Sequence, residues 1–245
     1  MEEEDEFIYV ETIGDWAIGD ELAILATQLD PVQNDYAFII DIETADDLGH
    51  KIYLDRMLTY RHFGSTEDDW TDSADIDFRG EVYKLNRNIK IVGEDIETWG
   101  GQIIVQDYQE NDGTDRSGYV YFEEIQVYNC SQVDTEKAAI RFELNTLHTK
   151  QSYIKSSAFH HGNGWALGIY DSYNIELYDN IFFSFSTIGA KLKSAKHIHA
   201  ERNVVAAIWE RDFNQTMLLD ARAGWMLGEG SSGETPPINV TFIDN

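Results

Sequence analysis

A strand-like segment recurs through the middle of the chain, and it restricts the fold more than any other feature. Ser152-Tyr153-Ile154-Lys155, Tyr173-Asn174-Ile175-Glu176 and Lys196-His197-Ile198-His199 start 173 − 152 = 21 and 196 − 173 = 23 residues apart. Each is followed by another apolar step, at Phe159, at Ile181-Phe182 and at Val204-Val205. Weaker copies begin near Asn88-Ile89 and Tyr119-Val120. A unit of strand, turn, strand, turn is too short to bury its own inward side chains, so copies must stack. Stacking at this period predicts a parallel β-helix. Alternation along each strand sends Ile154, Ile175 and Ile198 inward, one above another, and Lys155, Glu176, His197 and His199 outward. Asn180 and Asn203 precede the second apolar step in two of the copies. They are expected either to stack as an internal amide ladder or to serve as ordinary turn residues.

Elsewhere the apolar residues also fall in short alternating runs, such as Ile89-Lys90-Ile91-Val92 and Ile103-Ile104-Val105, and helical periodicity is nearly absent. Only Pro31, Pro236 and Pro237 occur, with no Pro-rich or Gly/Ser-rich linker, so one domain over residues 1–245 is expected. The 18 basic and 45 acidic residues give a net charge of −27. That excludes a general nucleic-acid binder and disfavours anionic membrane surfaces. Apolar residues at 42% can still supply a core. No run of about 18 apolar residues is present to span a bilayer. The start, Met1-Glu2-Glu3-Glu4-Asp5, lacks signal-peptide character. A single cysteine, Cys130, leaves no intrachain disulfide and no cysteine-built zinc site. Residues 1–80 hold 22 acids and 4 bases, whereas residues 137–202 hold 5 acids and 8 bases.

Several segments resemble the fibrocystin-like, G8-associated family and its cell-surface hyaluronidase-like relatives. Asp15-Trp16-Ala17-Ile18-Gly19-Asp20 through Thr27 resembles the segment that follows the G8 module in those proteins. Leu85-Asn86-Arg87-Asn88-Ile89-Lys90-Ile91-Val92-Gly93 and Ser152-Tyr153-Ile154-Lys155 through His160-His161 resemble two of their rungs, and Arg202-Asn203-Val204-Val205-Ala206 a closing step. The resemblance covers roughly residues 10–215 in order. It implies a single-stranded, right-handed parallel β-helix with pectin-lyase-like repeats. It also implies an extracellular or cell-surface setting, in a ciliary or flagellar coat or filament, and a piece of a longer protein lacking its G8 module. One branch of the family is linked to hyaluronan cleavage. Here Arg141-Phe142-Glu143-Leu144 stands where that family usually carries two histidines.

The candidate sites follow from residue chemistry. Arg141, Glu143, His160 and His161, if gathered on neighbouring rungs, would offer acid–base chemistry beside an anion-binding guanidinium; the simpler account is a surface ion pair. His197 and His199 have the spacing of two metal ligands, with Glu176 as a guessed third. Lys191, Lys193, Lys196 and Arg202, with the same histidines, are candidates for binding an acidic glycan or partner, or for an ordinary solvent face. Asp41, Asp46, Asp47, Asp68, Asp69, Asp72, Asp75, Asp112 and Asp115 supply oxygen donors that suit calcium, without EF-hand spacing. No other cofactor is implied. Asn129, Asn214 and Asn239 head N-x-[ST] triplets. Together these favour a non-catalytic extracellular structural or adhesion module that binds protein partners or self-assembles. The alternative is a carbohydrate-active enzyme or lectin-like module for an acidic glycan.

Overall fold

The computed structural model describes residues 4–30, 32–45, 49–64, 79–94, 98–133, 135–147, 150–209, 223–228 and 235–245. The chain divides into two compact units, Met1–Asn86 and Arg87–Asn245. Every described element is a β-strand. The coil expected over residues 1–245 is built by the second unit, because the strands of the first pair antiparallel.

The first unit is one sheet of β1 (Phe7–Val10), β2 (Glu21–Ile24), β3 (Asp35–Thr44), β4 (His50–Leu54) and β5 (Val82–Lys84), in the order β1-β4-β3-β2-β5. Ile8, Leu22, Ile24, Ala37, Ile39, Ile52, Leu54 and Leu58 form its core. One buried polar pair sits in it. His62 Nε2 lies 2.9 Å from Asp35 Oδ2, and His62 Nδ1 lies 2.8 Å from the Leu25 carbonyl. Asp35 also accepts the backbone N–H groups of Thr59 and Tyr60. Burial by itself raises the Asp35 carboxyl, but the His62 contact and those N–H donors outweigh it and hold it below the ordinary value.

The second unit winds through three parallel sheets in turn. Face 1 contains β10 (Tyr121–Glu123), β13 (Ser152–Lys155), β16 (Tyr173–Tyr178), β19 (Lys196–Glu201) and β22 (Ile238–Ile243). Face 2 contains β6 (Ile89–Val92), β11 (Ile125–Tyr128), β14 (Ala158–His160), β17 (Ile181–Ser186) and β20 (Val204–Trp209). Face 3 contains β7 (Ile103–Val105), β12 (Ile140–Glu143), β15 (Leu167–Tyr170), β18 (Ile188–Lys193) and β21 (Ala223–Leu227). A short hairpin, β8 (Tyr108–Gln109) with β9 (Asp115–Arg116), stands between β7 and β10. Successive strands of the coil belong to successive faces, and each pairs in parallel with its equivalent one turn on. This is a parallel β-helix.

Register corrects one detail of the repeat. Ile175 pairs with Ile198, but Ile154 pairs with Leu177, and Ser152 is the residue opposite Ile175. The true spacing is uniform: 175 − 152 = 23 and 198 − 175 = 23. Because the slip is two residues, all three isoleucines still point inward and are buried. Two adjacent columns fill the bore on face 1, Ser152–Ile175–Ile198–Val240 and Phe122–Ile154–Leu177–Ala200–Phe242. Val127, Phe159 and Phe182 fill it from face 2, and Phe142, Ile169 and Leu192 from face 3.

Each passage from face 1 to face 2 goes through one left-handed residue, Glu124, Ser156, Asp179 and Arg202, with φ of 54°, 47°, 54° and 50°, and Asp244 after β22 has the same conformation at 50°. The following residue turns its side chain into the stack. Asn203 Oδ1 accepts the Asn180 backbone N–H at 3.2 Å and its Nδ2 at 2.9 Å, while Asn203 Nδ2 donates to the Leu177 carbonyl at 3.0 Å. Asn180 likewise takes the Ser157 N–H, and Asn245 takes the Asn203 N–H. The asparagine ladder is therefore real and one member longer than expected.

Asn203→Ala should cost about 1–3 kcal/mol, because it orphans the buried Asn180 N–H. Asn245→Ala, at the exposed end of the ladder, should cost less. Urea titration read by tryptophan fluorescence measures both. In the first unit, Asp35→Ala should cost about 3–5 kcal/mol by leaving His62 unpaired in the core. The low Asp35 value has a definite sign. The unfolded carboxylate takes up protons first, so wild type loses stability as pH falls through the folded value, and the variant lacks that slope. Hydrogen exchange in β2 and β3 against pH reads it directly.

Candidate functional site

Burial separates the outer surfaces of the three faces. On face 2, outward Gln126, Ala158, His160, Ile181 and Phe183 are buried, while Tyr128 is 37% and Val92 62% exposed. On face 3, outward Gly168, Tyr170 and Lys191 are buried, Arg141, Glu143 and Lys193 are half-buried, and Ile104 is exposed. On face 1, no outward residue of the described strands is buried. Two outward columns run along it, Tyr121–Tyr153–Glu176–His199–Thr241 and Glu123–Lys155–Tyr178–Glu201–Ile243. The rings of Tyr121 and Tyr153 stack at 4.8 Å with planes 12° apart, and Tyr119 leans on Tyr121 at 5.3 Å. Tyr119 and Tyr121 are 43% and 51% exposed.

Cations fix these rings. Lys155 Nζ lies 4.5 Å from the Tyr153 ring centre and 5.4 Å from that of Tyr178; Lys150 Nζ donates to Tyr119 Oη at 2.7 Å; Lys196 covers Tyr173 at 4.7 Å. Burial, with Glu176 nearby, raises the Tyr178 phenol, which keeps its proton available for donation. The arrangement is a flat surface of phenol rings, ammonium groups and carboxylates. Its chemistry is hydrogen bonding and close contact.

The histidine and arginine candidates take other places. Arg141 and Glu143 stand on face 3, and His160 ends a strand of face 2, so the four do not gather on one sheet. Arg141 Nε is 2.9 Å from Glu143 Oε2, but the N–H is not aimed at the oxygen; this is a charge contact and not a hydrogen bond. His160 is wholly buried. The Arg87 N–H donates to Gln126 Oε1, which turns Gln126 Nε2 toward His160 Nε2 at 2.8 Å as a donor. His160 Nδ1 must then carry the proton, which it gives to His161 Nδ1 at 2.7 Å. Burial, then the neighbouring His161, Lys90 and Arg87, pushes His160 down to about 3. A neutral, enclosed imidazole of that basicity is a packing group.

The basic cluster does not form one patch. Lys191 and Lys193 belong to face 3, Lys196 to face 1, and Arg202 to the corner that leaves face 1. Lys191 is fully buried, with Nζ 3.0 Å from Glu136 Oε1 and 4.8 Å from the Trp165 ring centre. Arg202 makes two bonds to Asp179, at 2.7 and 3.0 Å, and also bonds Glu201. His197 meets Asn239, and His199 meets Glu201 at 3.0 Å; among the described residues no three His, Cys, Asp or Glu side chains converge as metal ligands. Asp41 accepts the Ile42 N–H beside a bulge in β3, Asp112 accepts the Thr114 N–H, and Asp115 accepts from Gln109. Asp46, Asp47, Asp68, Asp69, Asp72, Asp75 and Asn214 lie outside the described residues. Cys130 is buried, and burial raises its thiol.

Comparison with known proteins adds a relationship. Fibrocystin-L of Homo sapiens is 31% identical over 186 residues, 68% of this chain and 4% of that protein. The chain is related to fibrocystin-L. The Mus musculus protein of the same name is 28% identical over 188 residues, 69% of this chain and 4% of its own length. A Dictyostelium discoideum protein is 27% identical over 194 residues, 74% of this chain and 17% of its length. No protein-family model matches the chain. The chain thus spans a small part of the fibrocystin-L length. Among the described residues no helix is long and apolar enough to cross a membrane.

The outward tyrosines were legible as strand residues, but nothing in the sequence set them apart from the outward residues of the other faces. For His160 a pH signature is expected. The unfolded imidazole protonates near 6.5 and the folded one only near 3, so wild type loses stability as pH falls between those values. His160→Gln should flatten the dependence in that window, and NMR should show a neutral His160 ring at pH 5.

Proposed function

We propose that the chain is a non-catalytic structural module of an extracellular or cell-surface protein, and that face 1 is where it meets protein partners. The observation that carries this reading is that no outward strand residue of the tyrosine-lined face 1 is buried, whereas several on faces 2 and 3 are, Ala158, His160, Phe183, Tyr170 and Lys191 among them. Tyrosine is favoured at interfaces because it brings a large, rigid surface and a hydrogen-bonding tip. Lysines lying over the rings, with Glu176 and Glu201 in the same columns, give polar complementarity with both signs of charge, on a protein whose total is −27. The relationship to fibrocystin-L supports a surface setting. Arg141 and Glu143 on one sheet and an enclosed, neutral His160 on another speak against acid–base catalysis.

A photo-crosslinker in place of Tyr121 should capture a partner on the native surface, whereas one in place of Ile104, exposed on face 3, should not. Tyr121→Ala or Tyr153→Ala should weaken the captured complex by roughly 30-fold, the value of about 2 kcal/mol for an aromatic anchor. Release of reducing ends from an acidic glycan, abolished by Glu143→Gln, would overturn the reading in favour of a carbohydrate-active enzyme.

A further inference from the structure

We infer that Asn239 accepts an N-linked glycan, and that this glycan covers the β22 end of face 1. The inference rests on the extracellular setting proposed above. Asn239-Val240-Thr241 lies within β22. Val240 packs against the core, while Asn239 and Thr241 are exposed on the outer side. Asn239 has a φ of 55° and stands in a column with Asn174 and His197, at 67° and 55°, where the strands of face 1 step out of strict alternation. Asparagine tolerates this conformation better than most residues. Its Nδ2 donates to His197 Nδ1 at 2.7 Å. An amide joined to a sugar keeps one N–H, so this bond can survive the modification.

Asn129 heads an N-x-S triplet, is half-buried, and has more enclosed surroundings. It occupies a left-handed corner with φ of 54°, and its Nδ2 donates to the Gly93 carbonyl at 3.1 Å. The corner is closed: a Cβ on Gly93 would lie 2.0 Å from the Asn129 carbonyl oxygen. The Ser131 hydroxyl is fully buried and accepts the Gly164 N–H at 2.7 Å. A glycan on Asn129 would have to leave through this packing, so Asn129 stays unmodified. The consequence for the surface is spatial. With a glycan beside His197, the contact area of face 1 is left to its other end, at Tyr119, Tyr121, Tyr153 and Lys155.

The test is secretion of the chain from eukaryotic cells, enzymatic deglycosylation in heavy-oxygen water, and peptide mapping. The expected result is heavy-oxygen label at Asn239 and none at Asn129, with the Asn239 label lost in Thr241→Ala. Diethyl pyrocarbonate should modify His197 several-fold faster in Thr241→Ala than in the glycosylated wild type. A folded, secreted chain with unlabelled Asn239, or with Asn129 labelled equally, would overturn the inference. The experiment itself routes the chain through the secretory pathway. Failure therefore counts against the acceptor, while the native setting is judged by the surface crosslinking above.

Discussion

The coil depends on closing backbone hydrogen bonds at its corners. A strand that turns from one face to the next through a left-handed residue pays conformational strain of about 1–3 kcal/mol. The corner N–H groups of Ser156, Asp179 and Arg202 continue the ladder to the next turn's carbonyls, so the strain leaves no donor orphaned there. The following N–H is different: it is taken by a side chain from the turn above, Asn180 for Ser157, Asn203 for Asn180 and Asn245 for Asn203. Ser157 does the same for the Ile125 N–H. A short polar side chain at that position offsets the cost of a sharp corner in a buried stack, where water cannot reach the donors.

With the corners fixed, each turn places its strands on the same three faces, and alternation does the rest. Inward residues meet the inward residues of the next turn, as Phe159 does Phe182 at 5.2 Å between ring centres. Outward residues take whatever surroundings each face has. The same polar types therefore end in different states. Lys191 on face 3 is sealed against Trp165 and Glu136, while Lys155 on face 1 lies across two half-exposed tyrosines. His160 on face 2 is kept neutral, while His199 on face 1 holds an ion contact with Glu201 in reach of solvent. That difference in burial is why face 1 is the proposed contact surface.

How far the sequence could be read follows from turn length. Between β13 and β19 the turns are 23 residues, without insertions, and there the strands, the inward isoleucines and the asparagines were legible. Outside that stretch the turns lengthen, to 154 − 122 = 32 and 242 − 200 = 42 residues, and the period is lost. The slip at Ile154 arose because Asn174 and His197 sit at left-handed bulges, so the motif starts do not mark equivalent positions. The first unit escaped notice because alternation looks the same in parallel and antiparallel strands, and its His62–Asp35 pair joins residues 27 apart in sequence with no motif to link them.

The sequence alone determined that the chain stacks strands and that Ile154, Ile175 and Ile198 point into the bore, because these follow from a period of two within strands and a repeat between turns; it left open whether Asn180 and Asn203 form a ladder. Only the tertiary structure decided on which outer face no outward strand residue is buried, that Arg141 and His160 belong to different sheets, and that Lys191 and Lys193 part from Lys196 and Arg202. Those outcomes depend on what packs over each face, and covering is a property of distant segments that local pattern does not carry.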